Sequence, residues 1–571
     1  MTSKSSRFLA TCIISVCLIL EACTFISQAK TRILPTYPPG YDQSGYLTVT
    51  YLLVHRAMSN HWVQEISNSL KSPSPSGILF PVEGALMQNF LGTGRLSCLA
   101  LGFTVFAIFQ WALFSYFTQL AGLWLGIAAL AFLLSLNSLF LPVGGIYDYR
   151  IDFLAASAFG IFICLLLKTE FFYRRGCTLL AAISGTFLVL NRFITLSYIL
   201  PIFALATLMA AAPCFSGSRL RRLKNAALMI VGPACVIGPV LWNCRQAIWN
   251  YYFVGHVTGS EKRIRINEQH IHNWIEHLTY YPRSILSDHL GGLFPKLFLT
   301  FTLVIFLRFI LRSLQARKLK WAATESRVDL RLLICGLACL VPIVILTLDQ
   351  AKSPVVGSIV TGPAVMFFVL IFYKFYLKIP VDFRPSVRFK SILAVCLLVL
   401  SLIHVFLRAR GQVPEIGTQR NILAFNDIYE TIRLESIKSG WPNPRISSDR
   451  VADSLLPMNV LVYAYENHLS WIEPQSFLGR SIFSISSLEI IQELESSDFF
   501  ISSELDESQS PFPFTLSMLD NKSLIAGWIR NHMRLVGTYQ THLGTTLLFM
   551  RPQRNATRQT SCNQTFPGTA R

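Results

Sequence analysis

Apolar runs of about twenty residues, parted by short polar breaks, recur along most of this 571-residue chain. A helix rises about 1.5 Å per residue, so about 20 apolar residues cross a hydrocarbon core about 30 Å thick. Eleven runs reach or approach that length: 8–29, 96–117, 119–141, 152–168, 177–190, 193–213, 225–244, 291–311, 331–348, 355–377 and 391–408. The fourth and fifth are short. The pattern predicts an all-α polytopic membrane bundle of about eleven transmembrane helices over residues 1–410.

Beyond the last run the period changes. NVLVYAYE from Asn459, DFFISSEL from Asp498 and LVGTYQTHLGTTLLFMRP from Leu535 are short apolar stretches between polar breaks, the pattern of strands. They predict a small mixed α/β C-terminal domain at 411–555. The stretch 556–571, rich in Thr, Asn and Gln, has too few apolar residues to fold. Two further non-membrane stretches, 30–95 and 245–290, exceed ordinary loop length. In the first, PTYPPGYD from Pro35 is a turn-rich lead-in, YLTVTYLLVHRAM from Tyr46 reads as a helix lying in the membrane interface, and KSPSPSG from Lys71 reads as a flexible break.

Composition agrees with the pattern: at 52% hydrophobic and 14% charged residues, the chain cannot build a soluble globule with a polar surface. The formal charge of +19 would suit an anionic partner, but its distribution follows topology. With the N-terminus inside, the short inner loops hold nineteen lysines and arginines, whereas the short outer loops after the third, fifth and ninth runs hold Arg150, Arg192 and Lys352. This places Asp42 and the C-terminal domain outside, in a bacterial plasma (inner) membrane or, as the alternative, the endoplasmic reticulum. Nothing in that distribution reads as nucleic-acid recognition. Of thirteen cysteines, all but Cys562 fall in or beside apolar runs, so no disulfide framework is legible. LEAC at Leu20 resembles a lipoprotein processing site weakly, because Glu21 fits poorly and the run continues as an uncleaved anchor. The sequons at Asn521, Asn555 and Asn563 are of a number expected by chance.

Charges at membrane-spanning ends are costly, so a cluster on one side is a functional signal. Asp42 follows the first run, Asp148 and Asp152 sit in GGIYDYRIDF, Arg192 in LNRFITLSYILP, and Asp349 and Lys352 in LDQAKSPVVG. Carboxylates of this kind can take a proton from a hydroxyl, and cations can hold a departing phosphate. Structural roles compete at each position: a turn residue for Asp42, a helix cap or a pair with Arg150 for Asp148, a helix cap for Asp152, snorkelling for Arg192 and Lys352. EQHIHNWIEH brings His270, His272 and His277 close to Glu268 and Glu276, but the spacing lacks a metal signature and fits a polar segment shaping an entrance. Arg263 and Arg265 beside it could touch a phosphate or form a solvated charge run. There is no P-loop, nucleophile elbow or paired CxxC.

The acidic first outer loop at Tyr41–Tyr46, the second at Asp148–Phe153, and the basic residue after the ninth run followed by Pro354 and Pro363 come with a trailing outer domain. Together they resemble the C-type glycosyltransferases, in particular the branch of the protein O-mannosyltransferases and the bacterial aminoarabinose transferases of lipid A. The resemblance implies a polyprenyl- or dolichyl-phosphate sugar donor, inversion at the sugar, and a lipid, glycan or protein acceptor. It implies Asp42 and Asp152 as the catalytic acids and Lys352 as the phosphate-binding cation, which the charge cluster supplements with Arg192. Gln43, Tyr46 and Asp148 would contact donor or acceptor. Gln43 stands where such proteins commonly carry a second acid, which leaves a divalent metal undecided. A transporter or lipid flippase, with Glu21 as its buried charge, and a non-catalytic envelope assembly protein are the rival classes.

Overall fold

The computed structural model describes residues 4–38, 41–59, 61–211, 219–259, 262, 266, 269–292, 323–378, 386–411, 425–449, 457–467, 469, 485–503, 513–541 and 544–552. Helix α1 (Lys4–Gln28) runs into a π-helical turn ending at Ile33. Three amphipathic or short helices follow, α2 (Tyr41–Ser59), α3 (Trp62–Lys71) and α4 (Phe80–Leu91). The apolar part continues with α5 (Arg95–Ala121), α6 (Leu123–Leu134), α7 (Ile151–Lys168), α8 (Arg175–Asn191) and α9 (Thr195–Ala211). Next, α10 (Arg219–Ile248) widens into a π-helical segment, Trp249–Thr258, and α11 (Trp274–Ser284) lies between it and α12 (Ala323–Leu348). A 3-10 turn at Val355–Val360 leads into α13 (Thr361–Lys378), and α14 (Val387–Gly411) ends the bundle.

Among the described residues seven segments are long and apolar enough to cross a membrane, which makes this an integral membrane protein. The third, fifth and sixth apolar runs form the shorter helices α6, α8 and α9. In the third run, the helix stops at Leu134 and the chain turns through a 3-10 segment at Asn137–Phe140. The eighth run, 291–311, lies outside the described residues.

Lipid tails offer helices no hydrophobic drive to associate, so the bundle relies on close packing. Ten of the twelve α6 residues are buried, against α5 and α14. Helices α7 and α13 approach closely at Gly160 and Gly362, where a Cβ on Gly160 would stand 2.4 Å from the Phe109 ring. Inside this core Gln110 donates to Glu21 at 2.7 Å, so the buried acid has a partner on α5.

The C-terminal region is a four-stranded sheet flanked by helices: α15 (Phe425–Lys438), β1 (Ile446–Ser448), α16 (Pro457–Glu466), α17 (Ser487–Ser496), β2 (Phe499–Ser503), α18 (Pro513–Asp520), α19 (Lys522–His532), β3 (Arg534–Thr541) and β4 (Gly544–Met550). The strand order is β1-β2-β4-β3, with β1 parallel to β2 and the other pairs antiparallel. Alternation along β2 sends Phe499 and Ile501 to the α15 side and Phe500 to the α17 and α19 side. NVLVYAYE is helix α16 and not a strand: Val460 and Tyr463 pack toward the sheet while Val462 joins the membrane core, so the run is buried all round and carries no legible period. Ser44 donates to Asn459 at 2.8 Å and the Tyr51 and Tyr465 rings lie 5.6 Å apart, so α16 rests on α2.

KSPSPSG is no loose break. Phe193 donates its N–H to Ser76 O at 2.8 Å and Ile78 donates to Leu190 O at 2.9 Å, which clasps residues 76–78 onto the corner between α8 and α9. Only glycine fits at position 77, because a Cβ there would lie 1.8 Å from the Asn191 carbonyl oxygen.

Candidate active site

The first turn of α2, the α7 N-terminus, the α8–α9 corner, the π-helical segment and the end of α12 converge on one cavity of about 240 Å³. Asp42, Tyr46, Asp152, Arg192 and Asp349 all line it, so four stretches distant in sequence meet.

Asp42 sits in the first turn of α2, where the helix N-terminus favours a carboxylate. Its Oδ2 accepts from Arg150 Nη1 at 2.9 Å, and about half of its side chain (54%) stays exposed. Arg150 also lines the cavity, and its Nε lies 2.9 Å from Asp148 Oδ2. Asp148 itself is buried and does not line the cavity; its Oδ2 accepts from the Gly144 N–H at 2.6 Å, which pins the 141–150 loop. Burial pushes its carboxyl up to about 6, with Arg150 and the Gly144 N–H opposing.

Asp152 lies in the first turn of α7, with Arg150 at the N-cap position and no side-chain cap bond at that end. Instead of capping, its Oδ1 lies 3.1 Å from Arg192 Nη2, with both side chains largely buried. Arg192 is therefore an inward, paired cation and not a snorkelling one. On the far wall His256 Nδ1 is 2.9 Å from Asp349 Oδ2, and Asp349 Oδ1 accepts from the Ala351 N–H at 2.9 Å. Burial raises the Tyr46 phenol to about 12, so it stays a neutral hydrogen-bonding group.

Two residues expected here are turned elsewhere. Lys352 is fully buried and donates to the carbonyl oxygens of Leu346 (3.0 Å), Thr347 (2.8 Å) and Asp349, capping the end of α12 behind the Tyr281 ring. Its ammonium is spent on that helix end, so it does not reach the cavity. Gln43 is fully buried and accepts from Arg95 Nη2 at 3.2 Å, bracing α2 against α5.

Among the described residues no group of three or more His, Cys, Asp or Glu side chains could hold a metal ion. The histidine-rich stretch is a helix start: Asn273 accepts from the Glu276 N–H at 2.9 Å, Glu276 accepts from the His272 N–H at 2.7 Å, and His277 stacks on Trp274. Burial lowers the His277 pKa, and Lys352 adds to the shift. Arg263, Arg265 and Glu268 lie outside the described residues.

Sequence reading missed Arg150 as a site residue because it served there as a topology marker and as a structural partner for Asp148, a pair that forms, and it missed His256, which stands in WNYYFVGH without a motif. Each guanidinium carries five N–H donors, and one nitrogen joins Arg192 to Asp152. The cavity can therefore offer an exposed carboxylate and two guanidiniums to one ligand.

No family model matches the sequence, and no curated protein matches it. Solved structures do match in fold. The chain is similar to ArnT from Cupriavidus metallidurans in the apo state, with a TM-score of 0.57 and 10% identity over 95% of this chain and 98% of that one. It is similar to the same protein bound to undecaprenyl phosphate, with a TM-score of 0.54 and 10% identity over 96% of this chain and 98% of that one. The chain therefore shares the fold of ArnT.

Proposed function

We propose that this protein is a membrane glycosyltransferase that moves a sugar from a polyprenyl-phosphate donor to an acceptor hydroxyl at the outer membrane face. The observation that carries the reading is the meeting of Asp42, Arg150, Asp152 and Arg192 around one cavity. The likeness to ArnT bound to undecaprenyl phosphate supports a lipid-phosphate donor. In the proposed step Asp42 takes the acceptor hydroxyl proton as that oxygen bonds to the sugar anomeric carbon. The bond from that carbon to the phosphate oxygen breaks, its electron pair leaves with the phosphate, and attack from the opposite face inverts the centre. Arg192 and Arg150 neutralise the departing phosphate through charge-assisted hydrogen bonds, while Asp152 orients Arg192. Arginine suits this task because its planar fork matches phosphate oxygens. The transferase occupies residues 1–410, and the domain at 411–555 supports α2 from the outer side of a bacterial plasma membrane.

The test uses purified protein and undecaprenyl phosphate esters of radiolabelled sugars. Asp42→Asn should lower release of label from the lipid by about 100-fold or more, with membrane insertion and undecaprenyl phosphate binding retained. Transfer at the wild-type rate would remove Asp42 from the role.

A further inference from the structure

The π-helical wall of the cavity takes no part in the transfer step above. Bonding from i to i+5 widens a helical turn, so residues four and five apart share a face, and Tyr251, Tyr252 and His256 all line the cavity. On a regular α-helix Tyr251 and His256 would point about 140° apart. The widened turn instead brings their ring centroids to 4.6 Å at a tilt of 56°, with the Tyr252 ring edge-on to the imidazole at 5.7 Å.

Two atoms on this wall have unmet hydrogen-bonding capacity. The Tyr252 hydroxyl is buried and has no partner. Asp349 engages Nδ1 of His256, which leaves the other ring nitrogen, Nε2, for a ligand. A buried hydroxyl without a partner is costly, so a ligand hydroxyl that meets it is favoured.

Building on the transferase reading, we propose that Tyr251, Tyr252 and His256 form the donor-sugar subsite, that Asp349 orients His256, and that the subsite takes a hydroxylated sugar ring. The sugar is bonded to the phosphate held by Arg192, which lines the same cavity. The tyrosine faces accept its C–H surface, and Tyr252 Oη and His256 Nε2 meet its hydroxyls.

The experiment measures binding of undecaprenyl phosphate, its mannosyl ester and its 4-aminoarabinosyl ester to full-length protein in nanodiscs. Tyr252→Phe, which keeps the ring, and His256→Gln should each weaken the mannosyl ester about tenfold, the loss of one hydrogen bond, while bare undecaprenyl phosphate binds as to wild type. If both variants bind the mannosyl ester as tightly as wild type, the subsite assignment is overturned and the transferase reading stands. Wild-type protein that binds none of the three lipids overturns the transferase reading and the subsite together.

Discussion

Lys352 shows how one side chain's surroundings outweigh its place in the sequence. As a cation just beyond an apolar run it has the position of a phosphate ligand, yet three backbone carbonyls of α12 hold its ammonium. Burial pulls its pKa from 10.5 down to about 8, against the attraction of Asp349. Between these values the unfolded chain binds more protons than the folded one, so this group makes stability rise with pH through that window; below about 8 the full penalty applies. Thermal unfolding of wild type and Lys352→Met should therefore diverge from pH 8 to 10, with wild type gaining relative to the variant. Parallel curves would show that the lysine is not desolvated. Asp42, Asp152 and Arg192 were legible as charges at span ends, but their pairing was not. Arg150 and His256 are tied into the cavity by partners 108 and 93 residues away, which no local pattern shows.

At the scale of elements, the clasp between residues 76–78 and the α8–α9 corner sets where Arg192 lies. Proline and serine in KSPSPSG read as a break because local sequence cannot show that Leu190 and Phe193 supply the backbone partners. Gly77→Ala would force a Cβ against the Asn191 carbonyl. We expect a loss of about 1–3 kcal/mol in stability together with weaker undecaprenyl phosphate binding, because Asn191 directly precedes Arg192. A variant with unchanged melting and binding would show that the clasp yields at no cost. Strands β2, β3 and β4 were legible from alternation, whereas α16 was not, since its run is buried against both the sheet and the membrane core.

For the whole molecule, the excess of lysine and arginine on one side predicts the orientation, and the convergence of the cavity residues agrees with a single working face. Reporter fusions should place the α7–α8 connection, with Arg174 and Arg175, in the cytoplasm, and Ser76 and the 544–552 strand region outside. A cytoplasmic signal from the C-terminal region would reverse the assignment. Sequence by itself determined that the bilayer is the solvent, that the bundle is helical, and that charge gathers at one set of span ends, because hydrophobic length and charge count are properties of the chain alone. Tertiary structure decided which of those charges share a cavity. A side chain's function depends on the partners that packing brings to it: Arg150 and Arg192 face Asp42 and Asp152, while Lys352 and Gln43, equally well placed in sequence, are drawn into bracing the helices.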